Sequence, residues 1–394
     1  KSWSIMQIDS ISIAGRPGVY NIEVNAGQIY GLAKVEGAAS KVLIPTFGDV
    51  HVHLDKTYLI DRCPERVDSL EDAIRVCSKA MVDSTFEDIK DRAGRALRES
   101  FFHGVSAMRS HVNWHESKPP EAWIALNELA AEWRGNIDLQ LASFTPLDLF
   151  GEIGEQVAER VALDKQILGA FVLCNDHLDT KIKYVFDLAE KYDLPLDFHV
   201  DESLDPRACG LDSIITEAEE RQMRGRVLCG HCCSLTQRPK KIMLELLERA
   251  VEIDLGLVAL PSTNLYLQDR EFGRTPIARG LAPIKEAYSL GLKTMLASDN
   301  CQDPFYPYGN YDPMDIFRAG VLTAHLNPNE WIGSVTSLPR EWMGSGSGEL
   351  EPGQPADFVL FEGKNLFDVL SQPGLNRIVY RHGRPIGNHG NDEC

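Results

Sequence analysis

The sequence predicts an α/β protein, a (β/α)8 TIM-type barrel with a small β-sandwich built from both chain ends. Three observations carry this. Eight brief apolar runs alternate with helix-like stretches through the middle of the chain; such alternation signals a parallel sheet, and eight is the strand count of the barrel. Both ends of the chain are β-rich instead. A length of 394 residues exceeds one ordinary core yet suits a barrel with an addition.

At the start, "SWSIMQIDSISIAG", "GVYNIEVNAGQIYGLAKV" and "KVLIPTFG" show alternation or short β-rich runs between Gly-containing breaks. At the end, "ADFVLFEG" and "NRIVYRHGRPIG" follow the turn-rich "GSGSGELEPGQPA". Residues 1–46 and 347–394 are therefore expected to form the sandwich, and 47–346 the barrel. The barrel runs are "KVLIPTFGDVHVH", "VSAMRSHV", "IDLQLASF", "LGAFVLC", "LPLDFHV", "RVLCGHC", "LGLVALP" and "LKTMLASD". Helix-like stretches between them include "SLEDAIRVCSKAMVD", "TFEDIKDRAGRALRESFFHG" and "KKIMLELLERAVEI".

Bulk properties narrow the function. An apolar share of 43% is ordinary for a globular protein. The net charge of -18 disfavours nucleic acid as a partner and offers no basic patch to anionic lipid. No run approaches the roughly 18 apolar residues that span a bilayer. Nine cysteines without a repeated CxxC frame read as reduced thiols of a cytoplasmic protein. Adjacent Cys232 and Cys233 read as small buried fillers, because neighbours on a strand face opposite ways. The chain begins at Lys1 rather than methionine, which leaves an upstream targeting segment open. Helices on the outside of a barrel permit a homo-oligomer, but no patch identifies one.

The chemistry sits where strands end. "PTFGDVHVHLDKTYL" places His51, His53 and Asp55 at every second position, so period two turns them to one face. Barrel active sites lie at the C-terminal ends of the strands, and three further runs end in groups of the same kind. The fifth ends in "DFHVDES", with His199 and Glu202; the sixth in "LCGHCCS", with His231; the eighth in "MLASDNCQ", with Asp299 and Asn300. Any one of these alone reads as a structural histidine, a turn or a helix cap. Four strand ends together read as a metal site of three imidazoles and one carboxylate. A divalent cation in such a shell lowers the pKa of a bound water towards neutrality. Glu202 is close enough to His199 in sequence to shuttle a proton at the same mouth. His231 can hydrogen-bond the attacking oxygen, and Asp299 can both ligate the metal and accept a proton.

This set of residues resembles the amidohydrolase superfamily, and more closely its cytosine deaminase-like branch. "HVHLDKT", "FHVDES", "LYLQDR" and "DPFYPYGNYDPMDIFRAGV" each look like segments of that branch, in its order, from about Pro45 to Gly346. The resemblance implies one divalent ion per chain, Fe2+ or Zn2+, on His51, His53, His199 and Asp299. It also implies Glu202 as proton shuttle and His231 as the residue that orients the nucleophile. Binuclear relatives use a lysine after the fourth strand; "LGAFVLCNDH" ends without one, which favours a single ion.

Departures from the pattern bear on the substrate. Cytosine deaminases carry a glutamine after the third strand, where this chain offers Thr145 and Pro146. A second aspartate is replaced by Asn300, and the tryptophan of D-P-W-Y-P by Phe305, a candidate ring-stacking wall. Lys56 can meet an anionic group, and an Asp-Lys pair like Asp55-Lys56 occurs in relatives that remove alkylamines from triazines. Asn175 and Asp176, closing the fourth strand, are candidate substrate contacts; His111, closing the second, reads as structural. The expected reaction is hydrolytic removal of an exocyclic amino group from a small, cytosine-like nitrogen heterocycle, releasing ammonia. Hydrolysis of a cyclic amide or of an alkylamino-triazine is the alternative, and a non-catalytic ligand-binding barrel the second.

Overall fold

The computed structural model describes residues 5–374 and 376–387. Ser2 to Ser4 of the first β-rich run, and residues 388–394 of the expected C-terminal sandwich segment, lie outside the described residues. The chain opens with β1 (Met6–Ile13), β2 (Arg16–Asn25), β3 (Gln28–Val35) and β4 (Lys41–Pro45). Eight strands follow: β5 (Phe47–Val52), β6 (Val105–Asn113), β7 (Asp138–Pro146), β8 (Leu168–Val172), β9 (Leu196–Val200), β10 (Val227–His231), β11 (Gly256–Ala259) and β12 (Lys293–Leu296). The chain returns through β13 (Phe358–Glu362), β14 (Arg377–Arg381) and β15 (Arg384–Pro385).

β5 to β12 pair in sequence order in one parallel sheet. It closes where Asp299 N–H donates to the His51 carbonyl (2.9 Å) and Ser298 N–H donates to Asp49 Oδ1 (3.0 Å). The expected barrel is present, and its seam passes through two of the residues singled out as ligands. Val50, Ala107, Leu228, Val258 and Met295 fill the barrel interior towards its base. Outward-facing residues such as Phe198 pack under helices, here against Phe186 with ring centroids 5.9 Å apart. Strands β7 and β8 approach closely at Gly169, where a Cβ would stand 2.1 Å from the Ser143 carbonyl oxygen.

The other strands form a sheet in the order β15-β14-β13-β4-β1-β2-β3, so both ends of the chain contribute to it. Ile29 N–H on β3 donates to Gln354 O (2.9 Å), and Gly353 N–H donates to Ile29 O (2.8 Å). The sheet thus folds back on itself around Ile11, Ile22, Val24, Leu43 and Phe358. The run "KVLIPTFGDVHVH" divides at Thr46. Its first half, β4, pairs antiparallel with β13, and its second half, β5, pairs with β6. Buried Thr46 sits at the joint, its hydroxyl met by those of Ser106 and by the Arg340 guanidinium. One apolar run serves two sheets because both halves are buried, and the polar residue at the break, Thr46, is buried with them.

The helices Leu70–Met81 and Phe86–His103 start at Ser69 and Thr85, whose hydroxyls accept from Asp72 and Asp88 N–H (3.1 and 3.2 Å). Each such cap is worth about 1 kcal/mol. Among the described residues, no helix is long and apolar enough to cross a membrane.

Candidate metal centre and active site

Strand geometry delivers the site residues by three local devices. On β9 plain alternation suffices: Phe198 and Val200 join the core under the helices, leaving His199 to face the barrel axis. On β5 the pairing with β6 shifts register between Asp49 and Val52. Val50 lies with the interior residues while Val52 packs outward, so the irregularity lets His51 and His53 flank Val52 on the inner side. On β10, Gly230 is bare where a Cβ would stand 2.9 Å from His51 Cε1, and the next residue, His231, also lines the cavity. Two successive residues face inward because His231 adopts φ +75°, a left-handed conformation. Asp299 does the same at φ +60°. Such backbone is costly for non-glycine residues and concentrates at functional sites.

These devices bring His51, His53, His199 and Asp299 together, with one donor atom from each within 4.8 Å of the others. Asp299 Oδ1 lies 3.1 Å from His53 Nε2 and 3.4 Å from His51 Nε2, and His53 Nε2 lies 3.2 Å from His199 Nε2. Yet both Asp299 oxygens and His51 Nε2 are buried without a hydrogen-bond partner. Lone pairs converge here instead of pairing with one another. Burial, with the Lys56 charge nearby, pushes the His53 imidazole down to about 3. Burial, with the neighbouring histidines, holds His199 well below the usual histidine range. Burial opposes charge on Asp299, but His51 and His53 outweigh it and keep the carboxyl well below its ordinary value. Neutral imidazoles plus one carboxylate are the form in which these side chains bind metal. The donor set fits a divalent cation.

Beside the cluster, His231 Nδ1 lies 3.0 Å from Asn264 Nδ2 and 3.4 Å from Glu202 Oε1. With the Asn264 amide donating to Nδ1, the imidazole proton sits on Nε2, which has no other partner. Burial pushes His231 down to about 4, so it is neutral. Burial, reinforced by the Asp299 charge, lifts Glu202 well above the carboxylate range and favours its neutral form. A carboxyl whose proton is favoured and a neutral imidazole thus share one wall, as acid–base chemistry requires.

His53, His199, His231, Glu202 and Asp299 line one end of a cavity of about 220 Å³. Phe144 and Phe305 wall it, and the Lys56 ammonium lies 5.1 and 4.8 Å from their ring centroids while donating to Asn113 Oδ1 (3.1 Å). Asn175 and Asn300 also line it. Asn300 Nδ2 donates to Asp303 Oδ2 (2.7 Å), and burial raises that carboxyl to about 7.

Three expectations fail. Asp176 is exposed and does not line the cavity. Thr145 is fully buried and does not line the cavity. Its neighbours Phe144 and Pro146 do, because period two on β7 turns Thr145 the other way. Asp55 does not join His51 and His53: the strand ends at Val52, and in the turn beyond it Asp55 Oδ2 accepts from Asn113 N–H (2.8 Å). Arg92 fixes that turn through the carbonyls of Asp55 (3.2 Å) and Thr57 (2.8 Å). His111 is buried beneath the cluster and does not line the cavity. Sequence reasoning missed Phe144, Phe171 and Asn264. Asn264 follows the seventh strand in "LPSTN", the strand end that offered no ligand-type residue.

Comparison with known proteins agrees with this architecture. The family model described as "Amidohydrolase family" matches residues 83–386. Pterin deaminase of Rhizobium rhizogenes is 32% identical over 352 residues, covering 87% of this chain and 80% of that one. N-isopropylammelide isopropyl amidohydrolase of Pseudomonas sp. is 23% identical, with 95% of each chain covered. Among solved structures, 5-methylcytosine deaminase from Klebsiella pneumoniae has the same fold, with a TM-score of 0.87 at 23% identity over 99% of both chains. The chain belongs to the amidohydrolase family and is a hydrolase acting on carbon–nitrogen bonds.

Proposed function

We propose that the protein is a hydrolytic deaminase that removes the exocyclic amino group of a small nitrogen heterocycle as ammonia, with one Fe2+ or Zn2+ per chain held by His51, His53, His199 and Asp299. The observation that carries the reading is the placement of Glu202 beside His231, 3.4 Å away, on a ring-sized cavity that ends at the four-residue cluster. When bound, the ion supplies the Lewis acidity that makes water a nucleophile at neutral pH.

The chain's own residues do the rest. Phe144 and Phe305 clamp the ring faces, and Lys56 and the Asn300 amide hold its polar edge. His231 Nε2–H donates to the attacking oxygen. Asp299 accepts a proton as the oxygen attacks the amidine-like carbon, while Glu202 protonates the adjacent ring nitrogen. Asp299 then passes its proton to the amino group, which departs as ammonia, and the hydroxyl of the adduct returns a proton to Glu202 as the ring carbonyl forms.

For the substrate, we place bicyclic amino-oxo rings of the pterin type ahead of cytosine. The relative at 32% identity supports this, as does the absence of an amide where a cytosine-reading glutamine would stand. A site built without a hydrogen-bonding partner forfeits strong discrimination for the analogue that needs it. The test is ammonia release from aminated pyrimidines, purines, pterins and triazines by iron- and zinc-loaded protein. Alkylamine from an alkylamino-triazine, or a ring-opened acid from a cyclic amide, would select those reactions instead. A metal-replete protein inert across the panel would refute the deaminase reading.

A further inference from the structure

Beneath the four-residue cluster, towards the base of the barrel, lie three side chains that the reaction does not use. Arg109 and His111 are two apart on β6, and Asp197 is two before His199 on β9, so all face the barrel axis with the ligands. They are 4%, 0% and 1% exposed. The two oxygens of Asp197 have different neighbours. Oδ2 accepts from Arg109 Nη1 (2.9 Å), whereas Oδ1 has no partner and faces His111 Nε2 at 3.8 Å. Both ring nitrogens of His111 lack partners. Its ring centroid lies 4.2 Å from that of His51 and 4.4 Å from that of His199. One donor atom from each of His51, His111 and Asp197 lies within 4.8 Å of the others. His51 Nε2 faces Asp299, which leaves Nδ1, buried and unpartnered, for a contact of this kind.

A second cation or a single water could bridge these atoms, and Arg109 decides between them. Its guanidinium already neutralises Asp197, and it cannot swing away. Nε and Nη2 donate to Gln140 Oε1 (3.1 and 2.8 Å), and the Gln140 amide donates to Met343 O (2.6 Å). A divalent ion would share one carboxylate with a fixed cation, close to the ion above. A water meets no such repulsion: it accepts from an imidazole N–H and donates to Asp197 Oδ1, and buried waters make about three hydrogen bonds. The 3.8 Å separation is too long for a direct hydrogen bond, so these two atoms need an intermediary.

We propose that Asp197, anchored by Arg109, is a positioning residue for the metal centre: through a water shared with His111 it fixes the His51 ring so that Nε2 keeps its aim. This is the carboxylate–histidine–metal arrangement with one water inserted, and it rests on the reading of His51, His53, His199 and Asp299 as ligands. Neither Asp197 nor His111 touches the substrate cavity.

The test uses the full chain as wild type, His111→Asn and Asp197→Asn. Zinc affinity is measured by chelator competition, and the visible spectrum is recorded with cobalt. Wild type should bind one ion. Both variants should still bind one ion, about 10–100-fold more weakly, with shifted cobalt bands. His111→Asn leaves the Arg109–Asp197 pair intact, so it decides the matter if Asp197→Asn does not fold. A folded His111→Asn protein with wild-type affinity and unaltered bands would overturn the relay while leaving the metal centre standing. Two ions in wild type, reduced to one in His111→Asn, would overturn it in favour of a second cation. A wild type that binds no ion would overturn both readings.

Discussion

Replacing Glu202 by glutamine tests the proposed chemistry most directly. Glutamine keeps the shape and a hydrogen-bonding head but carries no transferable proton. Burial and the Asp299 charge favour the neutral form of Glu202, and glutamine is neutral too. Stability should stay within about 1 kcal/mol of wild type, as for substitutions that leave no charge or cavity behind. Glu202 is not among the four residues whose donor atoms converge, so metal content should remain about one ion per chain. Its Oε1 sits 3.4 Å from His231 Nδ1 at the cavity wall, where a single positioned acid–base group is worth about 10²–10⁴ in rate. That corresponds to about 3–5 kcal/mol on the barrier. The assay is kcat/KM for ammonia release, alongside metal analysis of the same sample. Glu202→Asp, which keeps a proton one methylene further back, should recover part of the rate. Glu202→Gln at full metal content with a rate within threefold of wild type would refute the shuttle.

Other outcomes follow from the same geometry. Gly230→Ala puts a Cβ 2.9 Å from His51 Cε1 and should weaken zinc binding about tenfold or more without unfolding the chain; unchanged affinity would refute the packing argument. Thr145→Val should leave KM unaltered, because Thr145 lies off the cavity, whereas Phe305→Ala should raise KM about 3–10-fold as a stacking wall is lost. The reverse pattern in steady-state kinetics would mean that β7 presents its other face. Arg377→Met should cost about 3 kcal/mol at pH 7, because it leaves Asp312 buried and unpaired where Arg377 Nη1 donated at 2.8 Å. Burial opposes the Asp312 charge, but Arg377 outweighs it and holds the carboxyl below its ordinary value. The stabilisation is therefore fully present above the unfolded carboxyl pKa of about 3.9 and is lost as pH falls through the lower folded value. Urea unfolding should show the gap between variant and wild type at pH 7 and a smaller gap at pH 3; an equal gap at both would refute the assignment.

The barrel was legible because its strands are short apolar runs with polar ends, and because period two is a local property. Phe198-His199-Val200 could be read inward and outward without knowing what lay opposite. His51, His53, His199, Glu202, His231 and Asp299 stood out for the same reason, as ligand-type or acid–base groups where apolar runs stop. Legibility ended where a strand ends, or where the phase of the alternation is set by the strands opposite. Asp55 lies beyond its strand in a turn fixed by Arg92, which is far along the chain. Thr145 sits at the expected place in sequence but on the other face of β7.

The residue types and their order along the chain determined by themselves that this is a parallel barrel with chemically capable groups at four strand exits. Period, burial and donor chemistry are all carried by neighbours in sequence. Only the tertiary structure decided that "KVLIPTFGDVHVH" divides between two sheets and that Gly230 makes room for His51. It alone revealed that Asn264 lies against His231 Nδ1, and that Arg109, His111 and Asp197 gather beneath the ligands. Each of these is a contact between strands distant along the chain, set by sheet closure and register rather than by any local preference.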